Sequence, residues 1–237
     1  MKSVVENGSD VSQQPSAHEL DEVIHSRPVH RVADSKAKRA LDVLLGGFML
    51  ILGSPVFGLV AAAIKLDDRG PVLYRQKRWG THRRPFHVLK FRTMVPDSDA
   101  KYGIKPADED DDRITRVGRV LRKMGLDELP QIINIVRGEM SFVGPRPLAQ
   151  HEEVYIDGKR AEYEDLPGFE ERLLARPGLT GPATVYIPKD SSPVLKFEHD
   201  LAYVRDWSLW TDIKLIVLSF IISFRGNWET RTDKIGL

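Results

Sequence analysis

Residues 43–64, VLLGGFMLILGSPVFGLVAAAI, carry no charge, and no other stretch restricts the fold as strongly. About 20 consecutive apolar residues suffice to cross the ~30 Å hydrocarbon core of a bilayer. A helix that is apolar on every face is unsuited to the surface of a soluble domain, so the segment calls for lipid. It begins too far from the first residue, and runs too long, for the apolar region of a secretory leader. Two features oppose simple crossing. Pro55 has no N–H to donate and its ring clashes with the preceding turn, while Ser54 beside it can bond a freed carbonyl. A break there leaves arms of roughly 16 and 14 Å, each about half of the hydrocarbon core. Cations also flank both ends, Lys36, Lys38 and Arg39 before and Lys65 and Arg69 after. The positive-inside bias would hold both flanks on the cytoplasmic side. Residues 36–66 therefore read as a re-entrant membrane helical hairpin broken at Ser54 and Pro55.

The remainder is long enough for one packed domain among 237 residues. Lysines and arginines number 35 against 34 acids, so net charge excludes no class of partner and only local clustering informs. The absence of cysteine excludes disulfides and thiolate metal sites. Residues 1–35 are polar and without hydrophobic period, which predicts a disordered tail. Its histidines, His18, His25 and His30, lack a metal-ligand spacing. Residues 207–224, WSLWTDIKLIVLSFIISF, are too short an apolar run to span comfortably. Trp207, Trp210, Lys214 and Arg225 suit a membrane interface, and a core helix of the domain is the equal alternative. Residues 226–237 form a polar tail.

Residues 71–94 predict two short strands around a turn at Gly80, with Lys90 and Arg92 among many cations interleaved with Trp79, Phe86 and Phe91. A solvated charged hairpin explains most of these; anionic lipid, nucleic acid or a phosphorylated substrate would explain the rest. The acidic run at 107–112 reads as a loop leading into a helix over 113–124, whose apolar stripe is Ile114, Val117, Val120, Leu121 and Met124. Gly125 stops it. In LDELPQ, Asp127 is a plausible N-cap of the next helix, with Leu129, Ile132, Ile133 and Val136 as its buried face. Capping does not explain Glu128 or the surrounding cations, Arg122 and Lys123 among them. Carboxylates at a helix start beside arginines are expected to keep a low pKa. Such a pair could bind a metal ion, attack an electrophile, or do both. Arg146 stands between two prolines in GPRP, and Arg176 opens the rigid loop RPGLTG. Each is either a stiff turn or a guanidinium pre-set for phosphate oxygens.

Taken in order, KFRTM, DDRITRVGRVLR, LDELPQIINIVRGEMSFVGPRP, RPGLTG and DWSLWTDIKL resemble one family from about residue 36 to 225. The chain resembles the bacterial sugar transferases, the small monotopic polyprenyl-phosphate phosphoglycosyl transferases that initiate exopolysaccharide synthesis. The resemblance implies a mixed α+β, helix-rich fold: a compact cytoplasmic domain over 67–225, a re-entrant membrane helix and interfacial helices on the bacterial cytoplasmic membrane. It implies catalysis by Asp127 and Glu128 with Mg²⁺ held by the same two residues. It also implies transfer of sugar phosphate from a UDP-sugar, UDP-galactose or UDP-glucose, to undecaprenyl phosphate with release of UMP. Asp127 would form an acyl phosphate with the sugar phosphate. Arg122, Arg146, Arg176, Lys90 and Arg92 are the candidates for phosphate and substrate binding. Expected partners are the donor, the acceptor and membrane lipid, with a homo-oligomer left open and no nucleic acid. Arg137 and Glu139 stand where lysine and aspartate are more frequent in the family, and Thr184 where glutamine is.

Two rivals come from other classes. A DNA-binding helix-turn-helix would need polar side chains on its second helix, whereas LPQIINIVRG is mostly apolar and begins with acids. A non-catalytic membrane scaffold of polysaccharide assembly would leave the aligned Asp, Glu and Arg residues without a role.

Overall fold

The computed structural model describes residues 35–96, 98, 111–156, 159–188 and 191–224. The expected tails at 1–34 and 226–237, and most of the acidic run, lie outside the described residues.

Helix α1 spans Lys36–Asp68, and Ser35 caps it by accepting from the Lys38 N–H at 3.3 Å. It is long and apolar enough to cross a membrane. It is also continuous through Pro55, which corrects the expected break. The carbonyl that a residue-55 N–H would have bonded is that of Ile51, and Ser54 Oγ donates to it at 2.8 Å. One lost hydrogen bond is thereby replaced locally, so the backbone has no need to open into a loop.

The strands β1 (Leu73–Trp79) and β2 (Pro85–Phe91) pair antiparallel, from Leu73 opposite Phe91 to Trp79 opposite Pro85, around the expected turn. His82 and Arg83 in that turn have positive φ, 55° and 58°. The outer edge of β2 would expose unpaired backbone groups. Asn134 covers it, accepting from Leu89 N–H at 3.0 Å and donating to His87 carbonyl at 2.8 Å.

Helix α2 (Arg116–Met124) starts at Thr115, whose Oγ1 accepts from Gly118 N–H at 2.9 Å, and ends at Gly125, φ 65°. Its buried face is Gly118 and Leu121. Val120 and Met124, expected inside, are 56 % and 64 % exposed. The reason is Gly118: a Cβ there would lie 2.1 Å from the Thr93 carbonyl oxygen, so the backbone itself is the contact and the buried face is turned toward it.

Helix α3 (Gln131–Arg137) follows, with Ile132 and Ile135 fully buried and Leu129, Ile133 and Val136 half-buried. Strand β3 (Ser141–Val143) runs parallel to β6 (Gly178–Thr180). Beyond them the two Pro/Gly loops meet backbone to backbone, since a Cβ on Gly144 would lie 2.1 Å from the Arg176 carbonyl. Strands β4 (Glu153–Ile156) and β5 (Lys159–Glu162) form an antiparallel pair. Three helices follow the short helix α4 (Phe169–Arg172): α5 (Pro182–Tyr186), α6 (Pro193–Arg205) and α7 (Leu209–Phe224). Leu148, Val154, Tyr163, Phe169, Leu173, Phe197 and Leu201 build one core cluster beneath them.

Helix α7 unites its two readings. Asp212, Leu215 and Ile222 are buried, while Trp210, Val217 and Phe220 on the other side are 72 %, 52 % and 43 % exposed. The start of α1 is fastened to it by ions. Lys38, 1 % exposed, donates to Asp212 Oδ2 at 2.7 Å, to the Val143 carbonyl at 2.8 Å and to the Tyr203 hydroxyl at 3.1 Å. Asp212 also accepts from Tyr203 and from Trp207 Nε1. One helical turn on, Asp42 accepts from the Ser141 hydroxyl and the Phe142 N–H, both at 3.0 Å. Removing one partner of such a buried pair costs about 3–5 kcal/mol.

Candidate active site

Asp127 and Glu128 lie in a 3-10 turn, Leu126–Glu128, between α2 and α3. The flanking Leu126 and Leu129 pack on an apolar cluster of Val60, Ile64, Phe91 and Leu121. The turn is therefore seated against the later part of α1. Asp127 is not the N-cap of α3: Pro130 holds that position, and the side chain of Asp127 is left for chemistry.

Both carboxylates are half-buried. Glu128 Oε1 meets Lys90 Nζ, from β2, at 2.5 Å. Arg122, one turn from the end of α2, is positioned by its Nε donating to Thr93 Oγ1 at 3.1 Å. Burial pushes the carboxyl of Asp127 above its ordinary value, and the Glu128 charge adds to this; Lys90 and Arg122 pull it back. The expected low pKa is thus overturned, because desolvation outweighs the neighbouring cations. A more basic carboxylate is a stronger nucleophile, and the cations that approach it suit an anionic electrophile. Two adjacent carboxylates also fit a hard divalent cation of the magnesium kind, which takes one or two carboxylates and completes its shell with substrate phosphates.

Of the expected phosphate ligands, Lys90 and Arg122 stand with Asp127 and Glu128. Arg92 does not. Its guanidinium is 6 % exposed, forks onto both oxygens of Asp68 and also donates to the Pro71 and Met94 carbonyls. That arrangement clamps the end of α1 to the end of β2.

Arg146 is 58 % exposed and donates to Glu152 Oε1 at 3.2 Å; Arg78 holds the other oxygen at 2.9 Å. Arg78 shares one face of the β-hairpin with Tyr74, which pairs with Lys90. Four residues of strand separate the two ends of that face, about 13 Å. Arg146 and Asp127 therefore border a single strip from opposite ends. Its loop is held by more than its prolines: Asp200 Oδ2 accepts from the Arg146 N–H at 3.2 Å, and Arg172 Nη2 donates to the Arg146 carbonyl at 2.5 Å. Arg172 and Asp200 form a buried ion pair at 2.6 Å.

Arg176 lies apart from this strip. Its Nε donates to the Gly138 carbonyl at 3.1 Å, and it borders Lys36 and Arg39 at the start of α1. Ser54 and Pro55 lie mid-helix in α1, exposed. A second grouping of ligand types, His151, Glu162 and Glu164, exists on β5 and its flanks. Its Glu164 is already engaged by Trp79 Nε1 at 2.9 Å and Arg83 at 2.8 Å, which makes it an ion-pair cluster.

Sequence reasoning missed Asn134, Arg172, Asp200, Lys38 and Asp212. For Asp212 a signal existed, a lone acid inside an apolar helix, and for Lys38 its complement, a cation at the start of one.

Comparison with known proteins bears on this geometry. Over 195 residues the chain is 40% identical to the UDP-glucose:undecaprenyl-phosphate glucose-1-phosphate transferase of Caulobacter vibrioides, covering 80% of this chain and 70% of that one. Against the Escherichia coli protein of the same name identity is also 40%, over 80% of this chain and 40% of the relative. The chain therefore spans less than half of that longer relative. The exopolysaccharide production protein ExoY of Rhizobium meliloti is 39% identical over 76% of this chain and 82% of its own length. Residues 33–226 match the family described as bacterial sugar transferase, and the chain belongs to that family.

Proposed function

We propose that the chain transfers a sugar phosphate from a UDP-sugar to undecaprenyl phosphate, with UDP-glucose as the donor that the names of its relatives favour. The observation that carries this reading is Asp127: a carboxylate made more basic by burial, flanked by Lys90 and Arg122, and seated against the later part of an apolar helix.

In the first step Asp127 attacks the phosphorus bearing the sugar. The bond from that phosphorus to the bridging oxygen breaks, and UMP leaves with the oxygen. A covalent acyl phosphate on Asp127 carries the sugar. In the second step a phosphate oxygen of the acceptor attacks the same phosphorus, the acyl–phosphate bond breaks, and the Asp127 carboxylate is restored. Splitting the transfer lets a soluble donor and a membrane-bound acceptor use one site in turn. Lys90 and Arg122 lower the repulsion between an anionic nucleophile and an anionic substrate. Asp127 and Glu128 would hold Mg²⁺, which when bound supplies charge neutralisation at the phosphoryl oxygens. Arg146, about 13 Å along the strip, would hold a donor group distant from the reacting phosphorus.

The membrane placement proposed is re-entrant, on the cytoplasmic face of the cytoplasmic membrane. It is supported by contacts at both ends of α1 with the same body. Lys38 and Asp42 meet Val143 and Ser141, and Val60 and Ile64 meet Phe91 and Leu121. Between them Ile51, Leu52 and Val56 are exposed. A helix crossing a bilayer would carry its two ends to opposite sides.

The test is retention of label. Protein given UDP-glucose labelled in the sugar, without acceptor, should keep covalent label and release UMP; Asp127→Asn should do neither. Label retained by that variant, or UMP released by it at the normal rate, would remove Asp127 from the nucleophile's role. Absence of UMP release by the wild-type chain across a panel of UDP-sugars, with acceptor present, would favour the scaffold.

A further inference from the structure

We propose that a cationic groove at the start of α1 binds one anionic phospholipid, separately from the donor and acceptor site. The inference rests on the reading of α1 as a membrane element. The groove encloses about 680 Å³ and is bordered by Lys36, Arg39, Ala40, Val43, Leu44 and Arg176. A volume of this size suits a headgroup phosphate with the first part of its chains.

The lining brings three cations from two distant parts of the chain and no acid. The two guanidiniums are held by one structure, the carboxyl end of α3. Arg39 donates to the Ile135 and Val136 carbonyls, each at 2.6 Å, and Arg176 Nε to the Gly138 carbonyl at 3.1 Å. Neutral carbonyls fix the direction of these side chains without cancelling their charge. A phosphate monoanion or diester between them therefore meets pre-set donors.

The other wall is apolar and points along the helix. Val43 is 38 % exposed, Leu44 73 %, and Phe48, one turn further, 60 %. Charge at the mouth and aliphatic surface leading away from it complement an amphiphile lying along α1, not a soluble anion. A soluble nucleotide sugar would leave Leu44 and Phe48 in water. The carboxylates, by contrast, sit against Val60 and Ile64, toward the other end of α1. An acceptor phosphate seated at Arg176 would be at the wrong end of the helix to attack a phosphorus on Asp127.

The experiment is native mass spectrometry of the full chain taken from membranes and offered phosphatidylglycerol or phosphatidylcholine of identical chains. Wild type should retain phosphatidylglycerol preferentially. Lys36→Gln and Arg176→Gln should each lower that retention about fivefold, and the double variant about 25-fold, as expected for cations at an anionic surface. Lys36 is exposed, so Lys36→Gln also serves as the variant that disturbs folding least. Arg160→Gln, an exposed cation on β5, should leave retention unchanged. Equal retention of the two lipids, or undiminished retention by the double variant, would overturn the site. Displacement by glycerol 3-phosphate would make it a soluble-anion site, and displacement by equimolar undecaprenyl phosphate would give the groove to the acceptor; either overturns the proposal. Wild-type protein lifted from membranes by a carbonate wash would overturn the membrane reading together with this one. Wild type that stays in the membrane yet shows no lipid preference would overturn this one alone.

Discussion

At Asp127 the fold keeps a charge where burial disfavours it. Burial raises the carboxyl above the usual carboxylate range, so folding favours the protonated form. Stability held at acid pH is then lost as pH rises through the raised value. Asp127→Asn removes the ionised form without changing shape. In metal-free buffer its Tm should therefore equal or exceed that of wild type at neutral pH, and the advantage should shrink toward about pH 4. A Tm clearly below wild type at neutral pH would make Asp127 a structural acid. Two arginines invite the opposite test. Arg92 has its fork on Asp68 and on carbonyls, so Arg92→Lys should cost about 2 kcal/mol or more in denaturant unfolding. Arg146, 58 % exposed, should tolerate lysine with an unchanged Tm while turnover falls about tenfold or more, the loss of a charge-assisted bond to substrate. Parallel losses of stability and turnover in Arg146→Lys would assign it to the loop.

At the scale of elements, the site depends on how closely α2 rides on the chain beyond β2. Gly118 touches the Thr93 backbone, and Thr93 also accepts from Arg122. Gly118→Ala would push helix and strand apart, because a Cβ 2.1 Å from a carbonyl oxygen cannot be accommodated by a side-chain shift. Its unfolding free energy should drop by about 2–3 kcal/mol, and the remaining folded protein should bind UDP-sugar less well because Arg122 is displaced. Unaltered stability in this variant would mean that α2 is free to slide. A hydrophobic stripe drawn from spacing alone placed Val120 and Met124 inside, and only this glycine contact explains why they face out.

For the whole molecule the question is where α1 leaves the lipid. Single cysteines at Ala37 and Pro71, both exposed, should react with an impermeant reagent from the cytoplasmic side only. Gly70 is a poorer choice, since a Cβ there would lie 2.7 Å from the Arg92 guanidinium. Labelling from opposite sides would make α1 a spanning helix. The ionic fastening of Lys38 to Asp212 and the clamp of Arg92 on Asp68 bind both ends of α1 to one body, and the exposed apolar side of α7 widens the surface offered to lipid.

Local chemistry sufficed for several features. The apolar run at 43–64, the turn after β1, the stop at Gly125 and the paired acids of LDELPQ are written in neighbouring residues, because hydrophobic length, backbone conformation and charge act over a few positions. The bonding of Ser54 to the Ile51 carbonyl is of the same kind. What joined these pieces was not local. The raised pKa of Asp127 depends on what surrounds it, and desolvation cannot be read from an acid's neighbours in sequence. Arg92, Arg146 and Arg176 look alike as cations in stiff or basic segments. Only the packing of distant chain separated a buried clamp on Asp68, an exposed guanidinium on Glu152, and a groove beside Lys36 and Arg39. Residues that contact across 100 or more positions, as Phe142 does with Asp42, leave no period or spacing in the sequence, because each is set by the shape of the other's surroundings.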